Sequence, residues 1–161
     1  SSQVGDEVTI RSSEIRNSSI GNRCEIAAYA SIHDGAWLDR DCRIGSGADI
    51  SNAILGPGVI VQSHAFINDA DIDEGVQFGA GAVTCNEDGS GASFRTVIGQ
   101  MSVIGAQSCL VAPVEIEDNS YIAAGSVITE NVQSFDLAVA RSRQRNVDNW
   151  VRLNRSKTAP V

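Results

Sequence analysis

An aliphatic residue recurs at every sixth position of this chain, and this period constrains the fold more than any other feature. The series is unbroken in two stretches, which are Ile20, Ile26, Ile32, Leu38, Ile44 and Ile50, and then Ile98, Ile104, Leu110, Ile116, Ile122 and Ile128. Between them it continues, with one-residue shortenings at Leu55 and Ile72, through Leu55, Val61, Ile67, Ile72 and Phe78. Val4 and Ile10 extend it towards the first residue. The repeat unit is therefore a hexapeptide.

Period six matches neither the 3.6-residue turn of an α-helix nor the alternation of strands in hairpins. It is the signature of a parallel β-helix, in which each hexapeptide makes one short strand and one corner. The aliphatic side chains then point inward, and successive coils stack about 4.8 Å apart. Few aromatic residues (5%) and 15 glycines agree with thin layers of small and β-branched side chains. We predict an all-β fold with a column of Ile, Leu and Val as its core.

One segment interrupts the repeat in the second half of the chain. Residues 86–96 have no aliphatic residue at the sixth position and are rich in turn-forming residues, so they predict a loop inserted at a corner. Loops on a rigid scaffold often carry functional residues. We therefore expect this loop to lie near the functional site.

The repeat stops near residue 132, and a different pattern follows. We predict one domain, with a β-helix over residues 1–132 and a strand and helix extension over 133–155. The helix is expected over 146–153, because its apolar residues follow an N-cap-like asparagine. Residues 156–161 are predicted to be a mobile tail.

Charge and composition disfavour several classes of partner. The net charge of -8 argues against nucleic acid and anionic membranes, both of which repel an acidic surface. Because the chain shows no signal peptide and no apolar stretch of bilayer length, we expect a cytoplasmic protein. It starts within the repeat and without Met, so we expect it to be part of a longer protein.

The sequence predicts no metal site and no redox dithiol. The four cysteines form no CxxC pair and have no histidine at ligand spacing, so we expect reduced, structural thiols. Cys24 and Cys42 are separated by three hexapeptides and are expected to stack in the core. Acidic residues at corners, such as Asp49, are expected to be solvated turn residues.

Several stretches are more specific than the repeat itself. They are Gly79–Gly89 (GAGAVTCNEDG), Phe94–Gly99 (FRTVIG), Leu110–Val114 (LVAPV), Ile122–Ser126 (IAAGS) and Ala138–Asn146 (AVARSRQRN). Together they resemble the acetyltransferase domain of the bifunctional N-acetylglucosamine-1-phosphate uridylyltransferase/glucosamine-1-phosphate acetyltransferase family. The resemblance is strongest from about Ile44 to Trp150 and does not extend to the family's nucleotidyltransferase domain. It implies a left-handed coil of three hexapeptides and a homotrimer.

The resemblance also implies acetyl-CoA as co-substrate, in a groove between neighbouring β-helices. The positions that match the family's CoA contacts are Ala80, Asn86, Ala106, Ala124 and Arg141. Small residues let the extended pantetheine arm lie against the coil, and an arginine pairs with CoA phosphates. Small residues are also needed at β-helix corners without any ligand, so the alanines have two explanations. Arg141 is the more specific member of the set.

The acceptor side departs from the family pattern. Where the family holds a sugar phosphate with one arginine and two lysines, an ungapped alignment places His33, Ser51 and Ser93, and Gln77 replaces an asparagine. Each charged hydrogen bond contributes about 1.5–3 kcal/mol, so a phosphorylated amino sugar is expected to bind weakly. Arg95, or a basic group of a neighbouring chain, is the alternative phosphate partner. His33 and Ser51, three hexapeptides apart, are expected to stack.

The family's general base is a histidine, and the alignment places Ser63 at that position. His64 lies one residue later, and a one-residue shift in a strand turns a side chain to the other face. A compensated insertion and deletion would restore His64 as the base that deprotonates the acceptor ammonium. Without it, His64 is a corner histidine with no catalytic role.

Two functional hypotheses follow from these residues. The first is an acetyl-CoA-dependent N-acetyltransferase that acts on an amino sugar (phosphate) or a similar small-molecule amine, at a site between the chains of a homotrimer. The second is a catalytically degenerate trimeric scaffold or regulatory module that keeps the fold and has lost the acceptor chemistry. The intact loop and Arg141 favour the enzyme, and the altered acceptor residues favour the scaffold.

Overall fold

The computed structural model describes residues 1–87 and 89–155, and it shows a left-handed parallel β-helix. Its elements in chain order are β1 (Gln3–Val4), β2 (Thr9–Ile10), β3 (Glu14–Ile15), β4 (Ser19–Ile20), β5 (Glu25–Ile26), β6 (Ser31–His33), β7 (Trp37–Leu38), β8 (Arg43–Ile44), β9 (Asp49–Ser51), β10 (Ile54–Leu55), β11 (Ile60–Val61), β12 (Phe66–Asn68), β13 (Ala70–Ile72), β14 (Gln77–Phe78), β15 (Val83–Cys85), β16 (Thr96–Ile98), β17 (Val103–Ile104), β18 (Cys109–Val111), β19 (Val114–Ile116), β20 (Tyr121–Ile122), β21 (Val127–Ile128), β22 (Leu137–Ala138) and α1 (Trp150–Arg155). The predicted fold class is confirmed.

The strands form three parallel sheets that run along the coil axis. Sheet 1 contains every third strand from β1 to β19, sheet 2 every third strand from β2 to β20 together with β22, and sheet 3 every third strand from β3 to β21. The pairings between the named strands are parallel, and each coil contributes one strand to each sheet. Three hexapeptides therefore close one coil, as the resemblance implies.

The register explains the two shortened steps of the repeat. Leu38 pairs with Leu55, and Leu55 pairs with Ile72, so each of these coils is one residue shorter than three hexapeptides. The full length of 18 residues is kept where Ile20 pairs with Leu38 and where Ile98 pairs with Ile116. The shortened step removes a corner residue and keeps the inward side chains stacked.

The core is the predicted column of aliphatic side chains. From Ile20 to Ile128 the repeated residues are no more than 4% exposed. Val4 and Ile10, which the repeat also places inward, are 51% and 40% exposed, so their prediction as core residues is wrong. They pair with the coil on one side only, and no described coil covers the other side.

The four cysteines are free, and two of them lie in the core. Cys24 and Cys42 are fully buried at consecutive levels of the stack. Their thiols donate to the carbonyls of Asp39 and Gly56, at 3.0 and 3.3 Å. Packing and these weak hydrogen bonds account for both residues.

The segment predicted as a loop lies between β15 and β16. It makes this coil longer than three hexapeptides, since Ile72 pairs with Ile98 across the insertion. The Phe94 N–H donates to the Asn86 carbonyl at 2.8 Å, so the segment folds back on itself. Thr96, included in the predicted loop, is buried and already belongs to β16.

The last described residues add a strand and a helix to the β-helix. In β22, Leu137 and Ala138 pair with β20 in parallel. The helix α1 begins at Trp150, later than the predicted residue 146. Asn149 has a φ of 56°, in the left-handed region, which an α-helix cannot include. The tail predicted over 156–161 lies outside the described residues, and within the described ones no helix has the length and apolarity to cross a membrane.

The inward register can be tested with Ile104→Asp. The change buries an unpaired carboxylate inside a coil, where Ile104 is 1% exposed, and should cost about 4 kcal/mol or more. That is a large part of a typical domain stability of roughly 5–15 kcal/mol. Thermal unfolding followed by circular dichroism should show a chain that is unfolded or strongly destabilised. The matched control is Val97→Asp at an outward, 40% exposed strand position, and equal melting temperatures for both variants would contradict the register.

Candidate active site

Four site residues predicted from the sequence share one corner of the β-helix. Ser63, Ala80, Ala106 and Ala124 each lie at the second position after a strand of sheet 2, and we call this set the corner column. The strands are in register, since Val61 pairs with Phe78, Phe78 with Ile104, and Ile104 with Ile122. The three alanines are exposed along the corner. The corner column is therefore a row of small residues open to solvent.

Backbone hydrogen bonds hold the corner column from coil to coil. The carbonyls of Ser63, Ala80 and Ala106 accept the N–H groups of the next coil's corner, at 3.1, 2.9 and 2.9 Å, respectively. The Ala124 carbonyl accepts a hydrogen bond from Arg141 Nη1 at 2.8 Å. Arg141 thus lies at the end of the column with its guanidinium beside the last alanine.

Close stacking requires glycine before two of the alanines. A Cβ on Gly79 would lie 2.5 Å from the Ala106 nitrogen, and a Cβ on Gly105 would meet the Ala124 nitrogen more closely still. Both contacts are with backbone, which cannot move aside cheaply. These glycines bring the coils together and keep the alanines in line.

His64 lies beside the corner column, and Ser63 is the residue in it. Because Val61 pairs with Phe78, Ser63 is level with Ala80 and His64 is level with Gly81, outside the column. His64 has a φ of 59°, and the equivalent corner residues Gly81 and Gln107 have φ values of 64° and 60°. Histidine tolerates this left-handed conformation better than most residues.

The imidazole of His64 is exposed and points back along the coil axis. Its ring lies against Gly47 of the preceding coil, where an added Cβ would meet Nδ1 at 2.6 Å. His64 holds the same corner position as Gly81, Gln107 and Gly125 in the next three coils. Arg141 occupies that position one coil further, so His64 and Arg141 are about 19 Å apart along the axis at about 4.8 Å per coil.

Asn86 anchors the inserted loop. It is 4% exposed, and its Nδ2 donates to the carbonyls of Phe94 and Asp69 at 2.7 and 3.1 Å. Its Oδ1 is buried and has no hydrogen-bond partner among the described residues. A buried acceptor without a partner is costly, so a hydrogen-bond donor that reached this atom would be stabilising.

Three of the predicted acceptor residues, His33, Ser51 and Ser93, lie in a second group at the far edge of sheet 3. His33 pairs with Ser51, as their spacing predicts, and the Ser51 hydroxyl donates to Asn68 Oδ1 at 2.8 Å. Ser93 donates to Asp69 Oδ2 at 2.5 Å, and a neighbouring asparagine donates to the other oxygen of Asp69. We call this group the polar cluster, and it consists of His33, Asp34, Asp49, Ser51, Asn52, Asn68, Asp69 and Ser93.

His33 is enclosed by carboxylates. Its Nδ1 lies 2.8 Å from Asp34 Oδ2, and its Nε2 lies 3.2 Å from Asp49 Oδ1. The hydrogen bond to Asp34 raises the pKa of His33 above its ordinary value, and Asp49 acts in the same direction against the opposing effect of burial. The same contact lowers the pKa of Asp34. His33 is therefore an ion-pair partner inside the protein.

Asp34 and Asp49 are site residues that the sequence did not reveal. The sequence predicts Asp49 as a solvated turn residue, and in the structure it lies within hydrogen-bonding distance of His33. Period-two alternation is the signal that points to it, because Asp49 and Ser51 are alternate residues of the same strand. Asp34 follows His33 directly, in a left-handed corner position with a φ of 53°.

Arg95, the predicted alternative partner for a phosphate, is already engaged. Its Nε and Nη2 contact both oxygens of Asp71 at 2.9 and 2.6 Å. It also donates to the carbonyls of Ala70 and Asn52 at 2.9 and 3.2 Å. This bidentate pair fastens the end of the loop to sheet 1 and leaves Arg95 poorly placed to bind an anion.

The two groups of site residues do not meet on one chain. Ser63 lies just before strand β12 of sheet 3, and Asn68 is the last residue of that strand. At about 3.3 Å per residue, the corner column and the polar cluster are separated by on the order of 15 Å. Gln77 lies on sheet 2 near the corner column, and Asn86 lies with the polar cluster. Within the part of the chain that the structure describes, no three His, Cys, Asp or Glu side chains are grouped to hold a metal ion.

Comparison with known proteins agrees with this architecture. A family described as "GlmU-like, C-terminal hexapeptide" matches residues 1–75, and one described as "Bacterial transferase hexapeptide (six repeats)" matches residues 95–130. The bifunctional protein GlmU of Clostridium beijerinckii is 41% identical over 150 residues, which cover 93% of this chain. The chain is similar to these GlmU-like hexapeptide proteins along most of its length. It spans 33% of the length of that relative.

Solved structures share the fold of this GlmU-like chain at lower identity. The UDP-N-acetylglucosamine acyltransferase from Campylobacter jejuni superposes with a TM-score of 0.57 at 20% identity, over 97% of this chain and 79% of that one. The polySia-specific acetyltransferase NeuO superposes with a TM-score of 0.60 at 12% identity, over 98% and 95%. At these identities the likeness concerns the β-helix.

The raised pKa of His33 predicts a pH-dependent contribution to stability. Protonated His33 stabilises the fold fully below its unfolded-state pKa of about 6.5, and this contribution is lost as the pH rises through the higher folded-state pKa. His33→Asn should therefore lower the free energy of unfolding more at about pH 5.5 than at about pH 9. Urea unfolding at both pH values measures the difference. Asp34→Asn should reduce this pH dependence, and an equal effect of His33→Asn at both pH values would contradict the ion pair.

Proposed function

We propose that this GlmU-like chain is an N-acetyltransferase domain that uses acetyl-CoA to acetylate an amino sugar or a similar amine. The corner column carries the proposal. Ala80, Ala106 and Ala124, which match the family's CoA contacts, stack at one exposed corner, and Arg141 is bonded to the carbonyl of the last. The fold does not require this grouping, because a β-helix has three corners per coil and the four residues share one of them.

The residues at the corner suit the chemistry of CoA. The exposed alanines leave room for an extended pantetheine arm, and the Arg141 guanidinium suits a phosphate. Because the carbonyl of Ala124 holds one edge of that guanidinium, the arginine is oriented before a ligand arrives. Acetyl-CoA supplies the acetyl group as a thioester, which an uncharged amine can attack directly.

The reaction needs a group that removes a proton from the acceptor ammonium. His64 is the candidate, because its exposed imidazole lies beside the corner column. It is about four coils from Arg141, so the two residues lie towards opposite ends of the column. An imidazole near neutrality can accept this proton. Ser63, the residue inside the column, can only hydrogen-bond a reacting group. His64 therefore acts from the position next to the one that the family's base holds.

We further propose that the chain works as a homotrimer. On one chain the corner column and the polar cluster are on the order of 15 Å apart across sheet 3, so one small acceptor cannot contact both. A groove between two chains can join the corner column of one to the polar cluster of another. Asn86, the remaining match to the family's CoA contacts, lies with the polar cluster and would face that groove. Outward strand residues such as Trp37, Ile54 and Phe66 leave apolar surface for such contacts.

Light scattering coupled to size exclusion tests the assembly. The expected mass is three times the 17.0 kDa of one chain at micromolar concentration. Phe66→Asp, at an outward position that is 41% exposed, should shift the mass towards one chain if sheet 3 faces a neighbour. A stable monomer of the unmodified chain would remove the composite site and the functional proposal with it.

Ligand binding and turnover separate the two halves of the proposed site. Arg141→Ala should weaken acetyl-CoA binding by about 1–3 kcal/mol, the value of a charged hydrogen bond, whereas His64→Ala should leave it nearly unchanged. Calorimetry measures both binding changes, with Arg143→Ala as the matched control in the same exposed segment.

In a thiol-release assay on an accepted amine, His64→Ala should lower the rate of acetyl transfer about 10²–10⁴-fold. Full activity of His64→Ala would exclude it as the base.

A scaffold without catalysis is the second candidate, and the polar cluster favours it. Ser63 replaces the family's base in the corner column, and His33, Ser51 and Ser93 are each already bonded to protein groups. A module that binds acetyl-CoA and releases no thiol with any amine in a broad panel would be such a scaffold. Absence of acetyl-CoA binding would contradict the enzyme.

A further inference from the structure

We propose that the acceptor is an amino sugar without a phosphate group, bound by the carboxylates of the polar cluster through its hydroxyl and ammonium donors. This inference rests on the proposed acetyltransferase function and names its acceptor class. It depends on which groups of the polar cluster are donors, which are acceptors, and how many are already engaged.

The charge of the polar cluster has the wrong sign for a phosphate. Its carboxylates are Asp34, Asp49 and Asp69, and its one titratable cation is His33. The formal charge is therefore -3 with His33 neutral and -2 with His33 protonated. The adjacent Arg95 adds no net charge, because it is paired with Asp71 at 2.6 Å. A phosphate brought here would be repelled by like charges.

The histidine and hydroxyl donors of the polar cluster are already used, and among its residues the Asn68 amide keeps a free donor. Both ring nitrogens of His33 face carboxylates, and the hydroxyls of Ser51 and Ser93 donate to Asn68 and Asp69. The neighbouring Arg95 donates to the Asp71 carboxylate and to two carbonyls. A phosphate accepts hydrogen bonds and donates few, so binding to His33, Ser51, Ser93 or Arg95 would break bonds that the protein already makes.

The carboxylates of the polar cluster, in contrast, can accept further hydrogen bonds. A carboxylate offers about four lone-pair sites, and Asp34 and Asp49 each use one oxygen for His33. Their side chains are 66% and 38% exposed, so a ligand can reach them. This edge of the molecule is complementary to hydroxyl and ammonium groups.

The side chain of Asn86 is an independent sign of a ligand that donates hydrogen bonds. Its Oδ1 is a buried acceptor without a partner among the described residues, although the residue is 4% exposed. Its Nδ2 is bonded to the carbonyl of Asp69, so this amide lies against the polar cluster. A hydroxyl, ammonium or amide group of a ligand in the groove would supply the donor that Oδ1 lacks, whereas a phosphate group would bring mainly further acceptors.

Binding of two matched probes tests the inference without requiring turnover. Calorimetry of the full chain, saturated with CoA, should give a Kd for glucosamine at least about tenfold below that for glucosamine 1-phosphate. High salt should narrow the gap, because it screens the exposed carboxylates. Asp49→Asn should reduce the ratio of the two Kd values several-fold by removing a charge at similar volume. Asp73→Asn, which changes an exposed carboxylate outside the polar cluster, should leave the ratio unchanged.

The outcomes distinguish this inference from the proposed function. Equal or tighter binding of glucosamine 1-phosphate, or no binding of either sugar at millimolar concentration, overturns the inference. Tighter binding of glucosamine with no thiol release from acetyl-CoA supports an unphosphorylated amino sugar as the ligand and contradicts the proposed acetyltransferase activity. Tighter binding together with acetylation of glucosamine supports both. An unchanged ratio in Asp49→Asn overturns the role given to the carboxylates.

Discussion

Parallel stacking of one coil on the next is the constraint on which the rest of this protein depends. Each strand of the β-helix is very short and bonds only to the matching strands of the adjacent coils, so none is stable alone. The inward aliphatic residues hold the coils in register, because a one-residue slip would turn them to solvent. Residues at the same place in different coils are therefore neighbours, and a functional surface is built by repetition.

Corner geometry decides which residues can stand at the candidate site. The third residue after each sheet 2 strand is left-handed at His64, Gly81, Gln107 and Gly125. Only residues that tolerate positive φ fit there, and glycine before the alanines lets the next coil approach. His64 thus satisfies a backbone requirement, and its placement beside the corner column gives the same residue a second, chemical use in the proposed reaction.

Electrostatics divides the candidate site into unlike halves. The corner column is uncharged and open, with a cationic residue at its end. The polar cluster is acidic, and its histidine and hydroxyl donors are bound to its own carboxylates and amides. Exposed ion pairs of this kind contribute little to stability on their own. Their larger effect is on which ligand can approach, since the carboxylates can still accept hydrogen bonds from a ligand.

The sequence by itself determined the β-helix and its inward residues from Ile20 to Ile128, because both follow from a period of six. The pairing of His33 with Ser51, three hexapeptides apart, follows from the same period. Only the tertiary structure decided that Asp34 and Asp49 enclose His33, that Arg95 is fastened to Asp71, and that Ser63 holds the column in place of His64. These contacts join residues whose side-chain directions and corner conformations depend on the neighbouring coils, which a linear period does not encode.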